Sequence, residues 1–246
     1  MSDFPSCHEP TEQSGLPAAY RKWRMSELGR ITDGIEEELI LDLIGPVAGK
    51  PLLDVGCGDG MLSVRLAQAG ADVTGVDKNR RMLAAARHRA EEASSQIAFV
   101  GGDAQALPFD DRSFDIVVSV TMLCFVPEPE RSVREMARVL RQGGRLVLGE
   151  LGRFSLWAVR RRIAGWLGSR TWRAARFRTA SELMSLAAST GLEVEQVRGA
   201  VYYPPSELCA RWLSTFDRSL SRLTTLGAAF IALRACKPGA MTGDKR

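Results

Sequence analysis

The run Leu52-Leu53-Asp54-Val55-Gly56-Cys57-Gly58-Asp59-Gly60 restricts the fold more than any other part of this chain. A short apolar strand stops in three glycines at alternate positions, and Met61–Gln68 continues with helical spacing. Glycine accepts the positive φ of a tight turn and lets a ligand approach the backbone where a Cβ would block it. The helix behind such a turn presents unpaired N–H groups and the positive end of its dipole. Asp54, at the strand end, adds a carboxylate able to meet a cation. Asp77 lies 23 residues further on, after a second strand-like run. An acid at about that distance beyond a first strand–turn–helix is the ribose-hydroxyl reader of nucleoside-binding α/β folds.

Strands and helices alternate from here to Leu151. Strand-like runs cover Pro51–Val55, Asp72–Val76, Gln96–Val100, Phe114–Val120 and Arg145–Leu151. Helical patterns cover Met61–Ala69, Asn79–Ala93 and Pro129–Leu140, and Gly143-Gly144 marks a turn. Phe114–Val120 is a continuous apolar run, as expected of a strand covered on both faces. Such alternation predicts a doubly wound α/β sheet with mainly parallel strands. Ahead of it, Asp33 as N-cap and Glu36 three residues later stand in capping-box spacing, Ile35, Leu39, Leu43 and Ile44 recur at helical spacing, and Gly45-Pro46 ends that helix. Beyond it, Thr179 and Glu182 form a second capping box, opening a helix to Thr190. A strand over Leu192–Val201, a helix from Pro205 to about Leu223 and a last strand over Ala228–Cys236 follow.

No linker divides the 246 residues. We expect one domain over 18–238, with flexible tails at 1–17 and 239–246. The five cysteines are scattered, with no C-x-x-C pair and no His at ligand spacing, which argues against a disulfide framework and a metal site. No apolar run reaches the roughly 18 residues of a bilayer span, and residues 4–24 lack a signal-peptide core, so a cytoplasmic location is the default expectation. The net charge of +4 is unevenly placed, with eight arginines and no acid between Arg153 and Arg178.

The glycine turn is G-x-G-x-G, not the G-x-G-x-x-G of dinucleotide-binding folds. It resembles motif I of the class I S-adenosylmethionine-dependent methyltransferases. Gly75-Val76-Asp77, Gly102-Asp103-Ala104, Leu107-Pro108-Phe109, Ser113-Phe114-Asp115 and the run Arg138–Leu146 resemble further segments of that family, in order across about residues 50–151. The nearest subgroup is the small-molecule branch of ubiquinone and menaquinone C-methyltransferases, of the methyltransferase type 11 kind. There the segment corresponding to Trp23…Gly29…Glu36 packs over the cofactor.

The resemblance implies a Rossmann-like seven-stranded sheet of order 3-2-1-4-5-7-6 with strand 7 antiparallel. It implies a cofactor-binding core over about 46–151, with S-adenosylmethionine as methyl donor, S-adenosylhomocysteine as product and no metal. Asp54 and the turn Gly56, Cys57, Gly58 and Gly60 would hold the methionine end. Asp77, with Lys78 beside it, would bind the ribose, and Asp103 and Ala104 the adenine. Met82 would pack on the base, and Ser119 would lie beside the cofactor. Two departures, Cys124 in place of a common His and Gln142 in place of a proline, leave these positions untouched. Strand 4 ends Ser119-Val120-Thr121-Met122, without the Asn/Asp-Pro-Pro-aromatic run of enzymes that methylate nucleic-acid or glutamine amino groups. The expected acceptor is therefore a small molecule, and nucleic acid is disfavoured.

Blander roles stay open for single residues. Asp77 could cap a helix, Asp103 could form a turn, Met82 could fill core, and Cys57 could be there only because it is small. His88, between Arg87 and Arg89, fits a solvated helix face. Arginines interleaved with Phe154, Trp157, Trp166, Trp172 and Phe177 suit a lid over 153–178 with aromatics facing in. They also suit peripheral contact with an anionic membrane, or nucleic acid. A protein that binds the donor without catalysis and a nicotinamide oxidoreductase are the remaining alternatives. No catalytic base is named by the sequence.

Overall fold

The computed structural model describes residues 23–239, so the expected tails fall almost wholly outside the described residues. Seven strands form one sheet: β1 (Pro51–Val55), β2 (Asp72–Asp77), β3 (Ala98–Gly101), β4 (Phe114–Val120), β5 (Leu140–Leu151), β6 (Glu193–Ala200) and β7 (Phe230–Cys236). Their order is β3-β2-β1-β4-β5-β7-β6. β7 runs antiparallel to both neighbours, and the other pairings are parallel. Strand order and the antiparallel direction of β7 match the expectation.

Successive strand residues feed opposite faces. Leu52, Ile116, Val118, Val147, Phe230 and Ala232 join one buried cluster. Leu53, Val117, Leu146, Leu148, Ile231 and Leu233 join the other. Period-two alternation with both sets apolar is why these strands read as continuous hydrophobic runs. The first face is covered by α1 (Glu27–Ile44), α2 (Met61–Gln68), α5 (Leu156–Trp166) and α8 (Glu207–Leu223). The second is covered by α4 (Pro129–Val139) and α7 (Ala180–Ala188), while α3 (Arg80–Glu92) packs on β2 and β3.

Three boundaries correct the sequence reading. Asp33 is not an N-cap. Helix α1 starts two turns earlier, where the Ser26 hydroxyl accepts the Gly29 amide at 3.0 Å. Gly29 is needed there because a Cβ would lie 2.1 Å from the Trp23 carbonyl oxygen. Gly143-Gly144 is no free turn but an irregularity inside β5, tied to the segment after β7 by Gly143 N–H donating to the Lys237 carbonyl at 2.7 Å. The cap of α3 is Asn79, whose Oδ1 accepts the Arg81 amide at 3.0 Å, so Asp77 is left for other work. The capping box of Thr179 and Glu182 forms as read. No helix among the described residues is long and apolar enough to cross a membrane.

Candidate active site

The glycine turn leaves β1 with Gly56 at φ +75° and Gly58 at φ +55°. A Cβ on Gly56 would lie 2.4 Å from Met122 Cγ, so the turn needs both the conformation and the missing side chain. Gly56 and Cys57 N–H groups donate to the Val76 carbonyl at 2.8 and 3.1 Å. Asp77 closes the turn from the next strand: Oδ2 accepts the Gly58 amide at 2.9 Å and Oδ1 the Asn79 amide at 2.8 Å. Each oxygen keeps acceptor capacity for a ligand hydroxyl.

Asp54 lies at the floor behind this turn, 2% exposed, with Ser63 of α2 donating to it at 2.6 Å. Burial pushes its carboxyl up to about 7, opposed by the Ser63 bond and assisted by the charge of Asp77. Burial likewise pushes the Cys57 thiol upward, reinforced by Asp54 and Asp77, so Cys57 carries no nucleophile at neutral pH. Asp59 is gripped from two sides, by Arg24 at 2.9 Å and Arg89 at 2.7 Å, and Arg24 reaches on to Asp33 at 2.7 Å.

A cavity of about 530 Å³ opens along the C-terminal ends of β1, β2 and β4, within the size range of small-molecule sites. Of the residues singled out from sequence, Asp54, Gly56, Cys57, Gly58, Asp77, Lys78, Met82, Asp103 and Ala104 line it. Gly60 and Ser119 do not. Gly60 starts α2 behind the turn, and Ser119 is fully buried, donating to the Val55 carbonyl at 2.9 Å to pin β4 to β1. Strand alternation turns Ser119 inward, and Val120 at the end of β4 with Thr121 and Met122 just after it line the cavity instead.

The Arg-rich stretch folds as α5 and a short helix α6 (Arg170–Ala174) at the cavity edge, contributing Arg161, Thr171 and Trp172. The expected division of aromatics inside and arginines outside is only half right. Trp157 and Phe177 are buried, yet Trp166 is 83% and Phe154 61% exposed. The Arg161 guanidinium sits 5.2 Å from the Trp157 ring and 4.9 Å from Trp172, facing inward as a cation on aromatic planes. Helical phase explains the inversion: Leu156, Val159, Ile163 and Trp166 share the outward stripe of α5, while Trp157, Ala158 and Arg161 share the inward one.

The family model for a methyltransferase domain matches residues 53–148. A ubiquinone biosynthesis O-methyltransferase of Ralstonia nicotianae is 36% identical over 184 residues, covering 72% of this chain and 76% of that protein. The chain belongs to the class I S-adenosylmethionine-dependent methyltransferases. A demethylmenaquinone methyltransferase of Clavibacter sepedonicus is 34% identical across 79% of this methyltransferase and 76% of its own length. The crystal structure of a Thermotoga maritima protein, described as an S-adenosylmethionine-dependent methyltransferase and possible histamine N-methyltransferase, superposes with a TM-score of 0.68. It is 26% identical, over 90% of this chain and 96% of that one.

The methyltransferase cavity also holds residues from the two segments expected near it, the Trp23–Glu36 segment and the 153–178 lid, for which the sequence named no individual site role. Arg24, Asp33, Glu36, Glu37 and Arg161 line it from segments far from the glycine turn. Asp33 and Glu36, one helical turn apart on α1, carried a visible spacing signal, but it mimics a capping box. Burial pushes Asp33 up to about 6 against the pull of Arg24, and Glu36 up to about 8. Buried at the end of β5, Glu150 accepts the Leu123 amide at 2.9 Å and is pushed up to about 7 by burial, with Arg178 opposing. It braces the 3-10 turn Leu123–Phe125, whose Phe125 reaches the cavity.

Proposed function

We propose that this methyltransferase methylates a small apolar or aromatic acceptor. In this reading its donor's methionine end lies against Asp54 and Gly56–Gly58, its ribose against Asp77 and its adenine against Asp103, Ala104 and Met82. The observation that carries the reading is the acidic lining: seven carboxyl groups (Asp33, Glu36, Glu37, Asp54, Asp59, Asp77, Asp103) against three cations (Arg24, Lys78, Arg161), with Asp54 and Glu36 held partly protonated by burial until a cation binds. An acidic cavity suits a ligand with a sulfonium and an ammonium, and opposes the pyrophosphate of a dinucleotide. The residues therefore fit the donor, which when bound supplies a methyl group already activated for in-line displacement. The chain's task is alignment, holding the acceptor at the attacking angle and excluding water.

The acceptor class is supported by the remaining wall, where Met122, Phe125, Val126, Leu151 and Trp172 present apolar surface next to the inward Arg161. The names of the relatives from Ralstonia nicotianae and Clavibacter sepedonicus point to quinone precursors. Internal engagement of the basic stretch argues against nucleic acid. Arg153 pairs with Glu182 at 2.8 Å, Arg161 and Arg162 lie on aromatic rings, and Arg176 and Arg178 donate to backbone carbonyls. The experiment is a methyl-transfer assay from labelled S-adenosylmethionine to catechols, hydroquinones and naphthoquinols, with an RNA control. Label in a quinol or catechol supports the reading; label in RNA alone overturns it.

A further inference from the structure

Glu36 differs from every other carboxylate in the cavity wall. Asp33, Glu37 and Asp59 have arginine partners, Asp54 has Ser63, and Asp77 and Asp103 accept backbone amides. Glu36 has no hydrogen bond or ion pair among the described residues, and it faces the cavity half-buried from α1. A desolvated carboxyl without an internal partner is costly, and such groups persist where a ligand completes them. Its charged surroundings come from four directions: Asp33 on its own helix, Arg24 before that helix, Arg161 from α5 and Asp217 from α8. The phenol of Tyr203, hydrogen-bonded to Thr32 at 3.1 Å, also feels its charge.

We propose that Glu36 is the general base of the transfer and takes the proton of an acidic acceptor hydroxyl. This rests on the methyl-transfer reading above. As Glu36 receives the proton, the hydroxyl oxygen's electron pair forms the O–CH3 bond. The S–CH3 bond breaks with its electrons kept by sulfur, leaving a neutral thioether. The negative charge of Glu36 and the positive charge of the sulfonium disappear together, so no net charge is stranded in the cavity. The proton leaves to water once the products depart. Burial sets Glu36 at about 8, within roughly two units of a phenol, which is the matching that efficient proton transfer needs. Arg161, on the facing aromatic planes, supplies positive charge for a developing phenolate.

The test is proton release on binding, measured by calorimetry of the full chain at pH 8 in two buffers of different ionisation enthalpy. Asp54 and Asp33, at about 7 and about 6, are already mostly ionised at that pH. A cationic donor ionises Glu36, so wild type releases about half a proton per S-adenosylmethionine and none with neutral S-adenosylhomocysteine. In Glu36→Gln the release with S-adenosylmethionine falls to zero, while S-adenosylhomocysteine binds within about twofold of wild type, showing an intact cavity. With a working acceptor, the same variant loses about 100-fold in kcat and the acid limb of its pH profile. Equal proton release in wild type and Glu36→Gln overturns the assignment. Wild type that binds NAD and neither S-adenosyl compound overturns the reading beneath it.

Discussion

Asp77 Oδ2 accepts the Gly58 amide at 2.9 Å, so the carboxylate expected to read a ribose also holds the glycine turn in shape. The two roles are separable by chemistry. Asp77→Asn keeps one acceptor for the Gly58 amide but loses the charge, whereas Asp77→Ala loses both. We expect Asp77→Ala to weaken donor binding by about 100-fold or more and to lower stability by about 1–2 kcal/mol. Asp77→Asn is expected to cost less on both counts. Calorimetry and urea unfolding check this, and an Asp77→Ala chain with unchanged donor affinity would contradict it.

Gly56→Ala combines two penalties, a φ of +75° and a Cβ placed 2.4 Å from Met122 Cγ. The backbone penalty alone is about 1–2 kcal/mol. Met122→Gly removes both Cγ at 2.4 Å and Cβ at 2.7 Å, so it should relieve the contact and leave the backbone term. The double variant is therefore expected to be more stable than the sum of the single effects, by about 1 kcal/mol in a double-mutant cycle. Strict additivity would mean that Met122 moves aside freely.

Stability of the ligand-free chain should fall as pH rises from 6 to 8.5. Asp54 and Glu150 at about 7 and Glu36 at about 8 all stand above their ordinary carboxylate values. The folded chain then holds protons that the unfolded chain has already lost. The stability this supplies is present in acid and disappears as pH passes through the folded values. The expected loss is about 2–4 kcal/mol in urea unfolding. Glu135, which its bonds to Arg138 hold below its ordinary range, acts only at lower pH. Asp54→Asn should flatten the fall around pH 7, and a rising stability over this window would refute the protonation pattern.

Trp166 on α5 and Trp212 on α8 are 83% and 76% exposed. Leu208, Trp212 and Phe216 repeat at i, i+4 and i+8 along α8, giving it an outward apolar stripe comparable to that of α5. Arg160 and Arg162 flank the α5 stripe, so these helices are where the peripheral membrane contact left open by the sequence would have to form. Replacing both tryptophans by Gln should change stability by less than about 0.5 kcal/mol. It should also reduce salt-sensitive sedimentation with anionic vesicles. Wild type that stays in the supernatant at low salt would exclude the contact.

The sheet and most of the donor site were legible because their signals are local. Apolar runs, glycines and strand-end acids lie within one strand–turn–helix of each other, and family resemblance supplied the strand order. On the acceptor side the two segments were expected near the site but not the residues, because Glu36 and Arg161 come together across 125 residues of sequence. Asp33 and Glu36 misled for a physical reason: three-residue spacing marks both a capping box and one face of a helix interior. Ser26, with its acceptor bond to Gly29, was the true start signal and lacked the acidic partner that makes caps conspicuous. Ser119 misled because position along a strand does not tell which face a residue takes until the neighbouring strands are in place.

The most direct test of the central claim is calorimetric titration of the purified chain with S-adenosylmethionine, S-adenosylhomocysteine and NAD. The acidic cavity behind the glycine turn predicts micromolar binding of both S-adenosyl compounds, lost in Asp77→Ala, and no measurable binding of NAD. Tight NAD binding without either S-adenosyl compound would contradict it.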